Sequence, residues 1–360
     1  MPELGPLRPE RVAVYTLTLP GLSVAERIQR VLPGSTLYLS AKYRALAPQK
    51  AVVFAEPIRE LLQRTWALHD GHVFVMASGI VLRASASLLL DKRVDPAVLV
   101  VDPAGRFAIP LLSGHLGGAN PLARYLAEAL GMQAVLTTGT DSLGAPAPDL
   151  LAKALGARVP DWGPLKEVSA LLVDGRTVGF FSECVDLSPL ARYPMVRLLE
   201  APVPQGVEGM VLFTCKRPWP LPVPALFAHP KALVLGIGCN RGTPREEVRR
   251  EVLGFLEEHG LARESLLCLS TATIKQDEEG LLAFAEEMGL PLSFHPPEVL
   301  NRQAIPNPSE VVFRHTGLWG VAEAAVLAEG ASLLVQKTKR GNLTLALGVV
   351  PLAIPEEALP

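Results

Sequence analysis

The chain has 360 residues, 49% hydrophobic and 19% charged, with a formal net charge of −2 and a mean hydropathy of +0.28. That length exceeds one ordinary core and points to two or three domains, and the composition is that of a well-buried α/β protein, not a disordered chain. No basic surplus exists to neutralise phosphates, so nucleic acid is not an expected partner, and no apolar run approaches the ~20 residues of a membrane span.

In chain order, residues 12–19 predict a strand, 23–32 a helix started by Ser23, and 35–40 a short strand. Residues 57–69 carry a helical stripe of Ile58, Leu61, Leu62 and Trp66 behind Pro57. A strand at 72–77 runs into a helix over 80–90 that bears Arg83, and a strand at 97–101 ends in Asp102-Pro103-Ala104-Gly105. That tetrapeptide has the residue order of a type I turn, which accounts for Asp102 without a catalytic role. The next strand, Phe107 to Leu112, leads into Leu-Leu-Ser-Gly-His-Leu-Gly-Gly-Ala-Asn over 111–120. Asn120 is the expected N-cap and Pro121 the expected first residue of the following helix. Gly114, Gly117 and Gly118 let a ligand approach the backbone closely, and a new helix start favours an anion. His115 stands in the middle of the loop. A glycine-rich turn with a solvated histidine is the plainer alternative. A strand at 133–138 then ends in Gly139-Thr140-Asp141, at the carboxyl end where open α/β sheets bind ligands. Strands alternating with helices predict a multi-domain α/β fold of mostly parallel sheets flanked by helices.

Beyond about residue 146 the pattern weakens to an amphipathic stretch at 164–173 and strands at 177–184 and 209–215. Residues 216–230 hold five prolines and read as a stiff linker. The expected domains are therefore 1–145, a small middle part at 146–225 that includes the linker, and 226–360. The last part opens with a strand at 232–237 and Gly236-Ile237-Gly238-Cys239-Asn240-Arg241-Gly242-Thr243. Thr243 is the expected N-cap, with Pro244 and Glu246 completing a capping box. The glycine spacing is one residue longer than the dinucleotide fingerprint, and no acidic residue stands where a ribose would want it. Arg241 instead suits carboxylates or phosphates at a helix start. A strand at 266–271 leads to Lys275, a helix at 278–289 with Asp277 as cap follows, and strands at 332–338 and 343–349 form a hairpin, with Lys337 another cation. Between them come a strand at 291–295, a proline-rich loop and a helix at 320–329.

Cys184, Cys215, Cys239 and Cys268 form no C-x-x-C pair, so neither a zinc site nor a redox motif is expected, and they read as reduced thiols in a cytoplasmic protein. The segment MPELGPLRPE lacks the apolar core of a secretory signal. The 33 prolines exceed the usual share of about 5% and are compatible with a thermophilic source.

Several stretches together resemble the cobalt-precorrin-5A hydrolase (CbiG) family of cobalamin biosynthesis. They are Gly79-Ile80-Val81-Leu82-Arg83, Asp95-Pro96-Ala97-Val98, Leu111 to Asn120 and Thr137-Thr138-Gly139-Thr140-Asp141 in the first part. In the last part they are Gly236 to Thr243, Lys275 to Leu281, Pro308 to Val312 and Lys337 to Leu347. The likeness spans most of residues 75–145 and 231–350, and Gly139 departs from it where the family has alanine. The resemblance implies amino-terminal and carboxyl-terminal α/β domains around a small middle one. It implies a cobalt-bearing tetrapyrrole as substrate, whose lactone is opened with water and whose two-carbon bridge leaves as acetaldehyde. Cobalt then belongs to the substrate, so no protein-bound cofactor or metal is expected; homo-oligomers and contacts with neighbouring pathway enzymes stay open.

Lactone hydrolysis needs a base and oxyanion donors. His115, with an ordinary pKa near ~6.5, is the expected base, with Asp141 as the second catalytic candidate. The Gly117 and Gly118 N–H groups are the expected oxyanion donors. Arg83, Ser113, Gly114, Asn120 and Thr138 are expected to help bind substrate around that loop. Gly238, Arg241, Gly242, Thr243, Lys275 and Lys337 are the corresponding set in the last domain, with the cations receiving substrate carboxylates. A non-catalytic carrier of corrinoid intermediates and a nucleotide-dependent oxidoreductase built on residues 236–242 remain the rival classes.

Overall fold

The computed structural model describes residues 8–91 and 94–359; the first seven residues, part of the segment read above as lacking a signal, lie outside them. The chain divides into two compact units, one up to Ala154 together with the residues from Pro355, the other Leu155–Ile354.

The first unit contains β1 (Val12–Thr16), α1 (Leu19–Val31), β2 (Thr36–Ser40), β3 (Val52–Phe54), α2 (Ile58–Thr65), β4 (Gly71–Val75) and α3 (Ser78–Ser85). It continues with β5 (Ala97–Val101), β6 (Phe107–Leu112), α4 (Ala119–Leu130), β7 (Gln133–Ala134), α5 (Gly139–Leu143) and α6 (Pro148–Ala154). One seven-stranded sheet has the order β3-β2-β1-β4-β5-β6-β7. Strands β1 to β5 are parallel, and β6 reverses against β5. The apolar runs of β1, β4 and β5 are buried on both faces. Alternate side chains serve two cores, as a period of two requires. Val14, Val73 and Leu99 pack with Ile28 and Leu126 on one face, and Tyr15, Phe74 and Val100 with Leu61 and Val81 on the other.

The second unit begins with α7 (Leu165–Val173), followed by β8 (Val178–Ser182), β9 (Val185–Asp186), β10 (Val196–Leu198), β11 (Gly209–Phe213) and β12 (Ala225–Ala228). A parallel four-stranded sheet has the order β10-β8-β11-β12. Then come β13 (Leu233–Cys239), α8 (Arg245–Glu258), β14 (Leu266–Ala272), α9 (Glu279–Met288), β15 (Leu292–His295), α10 (Pro297–Leu300), α11 (Glu310–Thr316) and α12 (Ala322–Ala328). The unit closes with β16 (Ser332–Arg340), β17 (Leu343–Val349) and β18 (Leu352–Ala353), which pairs with β9. A five-stranded sheet has the order β15-β14-β13-β17-β16, and the expected hairpin is its antiparallel β16–β17 pair.

The expected fold class holds, and several local expectations do not. Helix α1 starts earlier than Ser23, because the Thr18 side chain accepts from the Gly21 N–H and caps it. The strand expected over 133–138 shrinks to the two residues of β7. Residues 216–230 are no linker: β12 lies among their prolines and pairs with β11 at the sheet's edge, where proline is tolerated. Gly236 and Gly238 lie in β13 instead of in a glycine turn. Gly236 is required there by close packing, since a Cβ would stand 1.9 Å from the Ala322 carbonyl oxygen. The proline-rich stretch before α12 folds into the two short helices α10 and α11.

Candidate active site

Because β6 runs against β5, its carboxyl end does not join the carboxyl ends of the parallel strands. Leu112 pairs with Val98 near the start of β5, and the Ser113 hydroxyl donates to the Asp95 carbonyl at 2.9 Å. The loop at 113–118 therefore sits at the amino edge of β1, β4 and β5, opposite to the edge expected from the general α/β rule. Strand β7 is parallel to β6, so it delivers Thr138, Thr140 and Asp141 to the same place.

The loop is built to close on itself. Ser113 has φ 54 and Gly118 φ 87, and Gly117 packs so tightly that a Cβ would lie 2.3 Å from that of Ser113. Gly114 faces the Asn120 side chain, 2.8 Å from its Oδ1 to an added Cβ. Asn120 is not the N-cap: Gly118 holds that position, and Asn120 lies in the first turn of α4. Its Nδ2 donates to Thr138 Oγ1 at 2.9 Å and to Asp141 Oδ2 at 2.8 Å, while its Oδ1 is buried without a partner among the described residues. The Gly118 N–H donates to the His115 carbonyl at 3.0 Å, so it is not a free oxyanion donor.

His115 is clamped between two carboxylates. Its Nε2 lies 3.1 Å from Asp141 Oδ2, with Thr140 Oγ1 also 3.1 Å away, and its Nδ1 lies 3.2 Å from Asp149 Oδ1 on α6. Burial works against the imidazolium, but Asp141 and Asp149 overcome it and push His115 up to about 9. Burial by itself would raise Asp141. His115, the Thr138 hydroxyl at 2.5 Å and the Arg124 guanidinium at 2.5 Å instead hold it at about 2. The neutral imidazole expected from the sequence is thus replaced by a cation at pH 7, with both nitrogens committed. Such a ring orders its loop and cannot accept a proton. Asp102 keeps its turn role, accepting from the Arg106 and Phe107 N–H groups at 2.7 Å. Arg83 is exposed on α3 and donates to the Gly79 carbonyl within its own helix.

In the second unit Arg241, Gly242 and Thr243 line a cleft of about 570 Å³ with Asp277 and Glu278. Arg241 in its lining and Lys275 beside it are already paired. Arg241 meets Asp277 at 2.7 Å, and Lys275 donates to Glu278 at 3.0 Å. Burial alone would raise Glu278, but the Gly242 N–H, Lys275 and Arg241 hold it below the usual carboxylate range. Thr243 is not the cap of α8: its hydroxyl donates to the Asn240 carbonyl, and Pro244 takes the cap position. Asp277 likewise yields the cap of α9 to Glu278. Gly238 lies within β13, and Lys337 is tied to the Asn307 carbonyl at 2.6 Å, so neither joins the Arg241 cluster.

Three family models match in sequence: cobalamin synthesis G N-terminal over residues 60–141, cobalamin biosynthesis central region over 146–230, and cobalamin synthesis G C-terminus over 233–348. A cobalt-precorrin-5A hydrolase of Priestia megaterium is 31% identical over 354 residues, covering 94% of this chain and 95% of the relative. The chain belongs to the cobalt-precorrin-5A hydrolase family. A second member of that name, from Salmonella typhimurium, is 31% identical over 356 residues and covers 96% and 99% of the two chains. A crystal structure of a cobalamin biosynthesis protein G homolog from Sulfolobus solfataricus aligns over 94% of this chain and 97% of that one at 20% identity, with a TM-score of 0.37.

Within this cobalt-precorrin-5A hydrolase family member, Asp149 and Arg124 are the site residues that sequence reasoning missed. Asp149 reads as an ordinary acidic residue in the first turn of a helix, and Arg124 as an exposed helical arginine; only the folding of α4, α5 and α6 around one loop reveals them. A cleft of about 680 Å³ also escaped notice. It is lined by Arg11, Asp70 and Pro96, which immediately precede β1, β4 and β5, together with Leu116 and Gly117 of the loop. Among the described residues no helix is long and apolar enough to cross a membrane, and no group of three or more His, Cys, Asp or Glu is placed to hold a metal ion.

Proposed function

We propose that this protein hydrolyses the lactone of cobalt-precorrin-5A and releases the two-carbon bridge as acetaldehyde, in the anaerobic route to cobalamin. The observation that carries this reading is the nearly end-to-end likeness to two cobalt-precorrin-5A hydrolases. Cobalt belongs to the substrate in this reading, and the protein contributes positioning and proton transfer. Water adds to the lactone carbonyl, the acyl–oxygen bond breaks, and the bridge oxygen is left as an alcohol. That alcohol then loses its proton as its C–O bond becomes the aldehyde C=O, and the carbon–carbon bond joining the bridge to the macrocycle breaks, its electron pair passing into the macrocycle, which takes up a proton in return.

In this reading the knot of Ser113, Gly114, His115, Asn120, Thr138 and Asp141 supports one wall of the substrate site. Its polar atoms bond mainly to one another, so its contribution is rigidity. Within the other unit, Arg241 and Lys275 form a carboxylate receptor of their own once an acid competes with Asp277 and Glu278. Four free thiols suit a reducing cytoplasm.

The test is anaerobic incubation of the purified protein with cobalt-precorrin-5A, with acetaldehyde followed by coupled reduction. Catalytic release is expected. A spectral change of the ligand with no aldehyde beyond one equivalent would make the protein a carrier and overturn the reading.

A further inference from the structure

Three carboxylates that could otherwise serve as bases are spent. Asp141 is held at about 2, Asp102 is locked in its turn and Glu278 is bonded to Lys275 and the Gly242 N–H. His115 is a cation. Proton transfer must therefore come from elsewhere.

The amino-edge cleft supplies another group. Its wall is apolar at Trp66, Leu90, Val94 and Leu116, although Leu90 is 85% and Val94 68% exposed. Its rim carries three cations and as many acids: Arg11 is paired with Asp70, Lys153 donates to the Leu116 carbonyl at 2.9 Å, and Arg8 lies over the Tyr125 ring with its charge available to a ligand. An apolar wall with the Arg8 guanidinium at its rim suits a macrocycle that carries peripheral carboxylates. Two lining carboxylates are occupied: Asp70 is paired with Arg11 at 2.6 Å, and Asp95 accepts from the Leu90 N–H at 3.0 Å. Glu10 is exposed on the rim.

His69 lines the same cleft. Its Nε2 lies 3.1 Å from the Tyr38 hydroxyl, and its Nδ1 has no hydrogen-bond partner among the described residues. Tyr38 is itself fixed by stacking on Tyr15, with ring centroids 4.9 Å apart. The tautomer with Nε2–H donating to the Tyr38 oxygen leaves the Nδ1 lone pair available.

We propose that His69 is the general base of the lactone-opening step, taking through Nδ1 the proton of the water that attacks the carbonyl, with Tyr38 holding the ring in place and Arg8 on the rim receiving a substrate carboxylate. This rests on the hydrolase reading above. The groups facing His69 are Arg11 and Asp70 beside β1 and β4, Tyr38 on β2, and the buried His72 ring at 5.9 Å. Burial and then Arg11 lower the His69 pKa from 6.5, with Asp70 opposing. The imidazole is neutral at pH 7, as a base must be.

The test compares wild type, His69→Gln, Tyr38→Phe and Arg8→Ala in acetaldehyde release across pH. His69→Gln should lose about 10²–10⁴-fold in kcat at an unchanged melting temperature. The wild-type kcat/KM should fall as pH drops through a pKa below 6.5, and His69→Gln should lose that limb. Tyr38→Phe should keep the limb with a smaller loss in kcat, and Arg8→Ala should raise KM with kcat unchanged. If the wild type is active and His69→Gln retains kcat or the acid limb, the assignment of His69 is wrong while the hydrolase reading stands. If the wild type releases no aldehyde, the hydrolase reading falls and takes the base with it.

Discussion

Replacing Asp149 by Asn tests the clamp on His115 directly. In the folded protein His115 is raised from 6.5 to about 9. A group raised on folding stabilises fully below its unfolded pKa, and that contribution is lost as pH rises through the folded value. The full shift corresponds to about 3 kcal/mol, of which about 2.5 kcal/mol is present at pH 7. The depression of Asp141 counts the same ion pair from its other end and is not added to this. The two carboxylates stand at 3.1 and 3.2 Å, so they contribute nearly equally. Since burial opposes the cation, removing one of two equal partners removes more than half of the net shift, and the His115 pKa should fall to about 7.5 or below. The cost at pH 7 is then about 2 kcal/mol, or roughly 4–8 °C in Tm for a unit of this size. The Asn oxygen still accepts from the Leu150 N–H that Asp149 holds at 3.0 Å, which keeps the comparison clean. Differential scanning calorimetry at pH 7 and pH 10, with the His115 Cε1 proton titrated by NMR, reads both quantities. A Tm difference that vanishes by pH 10 is expected. An equal loss at both pH values, or a His115 pKa near 6.5 in the wild type, would show that the clamp does not carry charge.

His115→Gln should lower stability and activity together, and the wild-type pH–rate profile should contain no limb assignable to His115 between about pH 5.5 and 7.5; a limb there that disappears in this variant would restore His115 as the base. Gly117→Ala should cost about 1–3 kcal/mol or more, because the new Cβ would stand 2.3 Å from that of Ser113; an unchanged denaturation midpoint would contradict that packing. Arg241→Ala should leave Tm unchanged, since its pairing with Asp277 is exposed, and should raise KM if a substrate carboxylate displaces Asp277; kinetics equal to wild type would make the cleft structural. Limited trypsin digestion should not release a folded fragment starting near residue 231, because β12 is paired with β11 and the Arg217 N–H is bonded to the Gly260 carbonyl; such a fragment would restore the linker.

Much of the architecture was legible without coordinates. The apolar runs of β1, β4, β5 and β14 are long enough to be buried on both faces, and a doubly buried strand announces itself by composition alone. The β16–β17 hairpin was equally plain from two apolar runs around Lys339 to Asn342. So was the importance of residues 113–120, because glycines at such density are seldom needed except for positive φ or close backbone approach, and Gly117 and Gly118 show both. Strand direction was not legible. Phe107 to Leu112 reads the same whether β6 runs with β5 or against it, yet that choice moves His115 from one edge of the sheet to the other. Nor was the ionisation of His115, which depends on Asp141 and Asp149, brought to its two nitrogens from separate helices. Periodicity and capping are short-range properties of the chain, set within a few residues. Charge state and cleft position depend on through-space distances between residues remote in sequence, and those exist only once the sheet order and strand directions have been chosen.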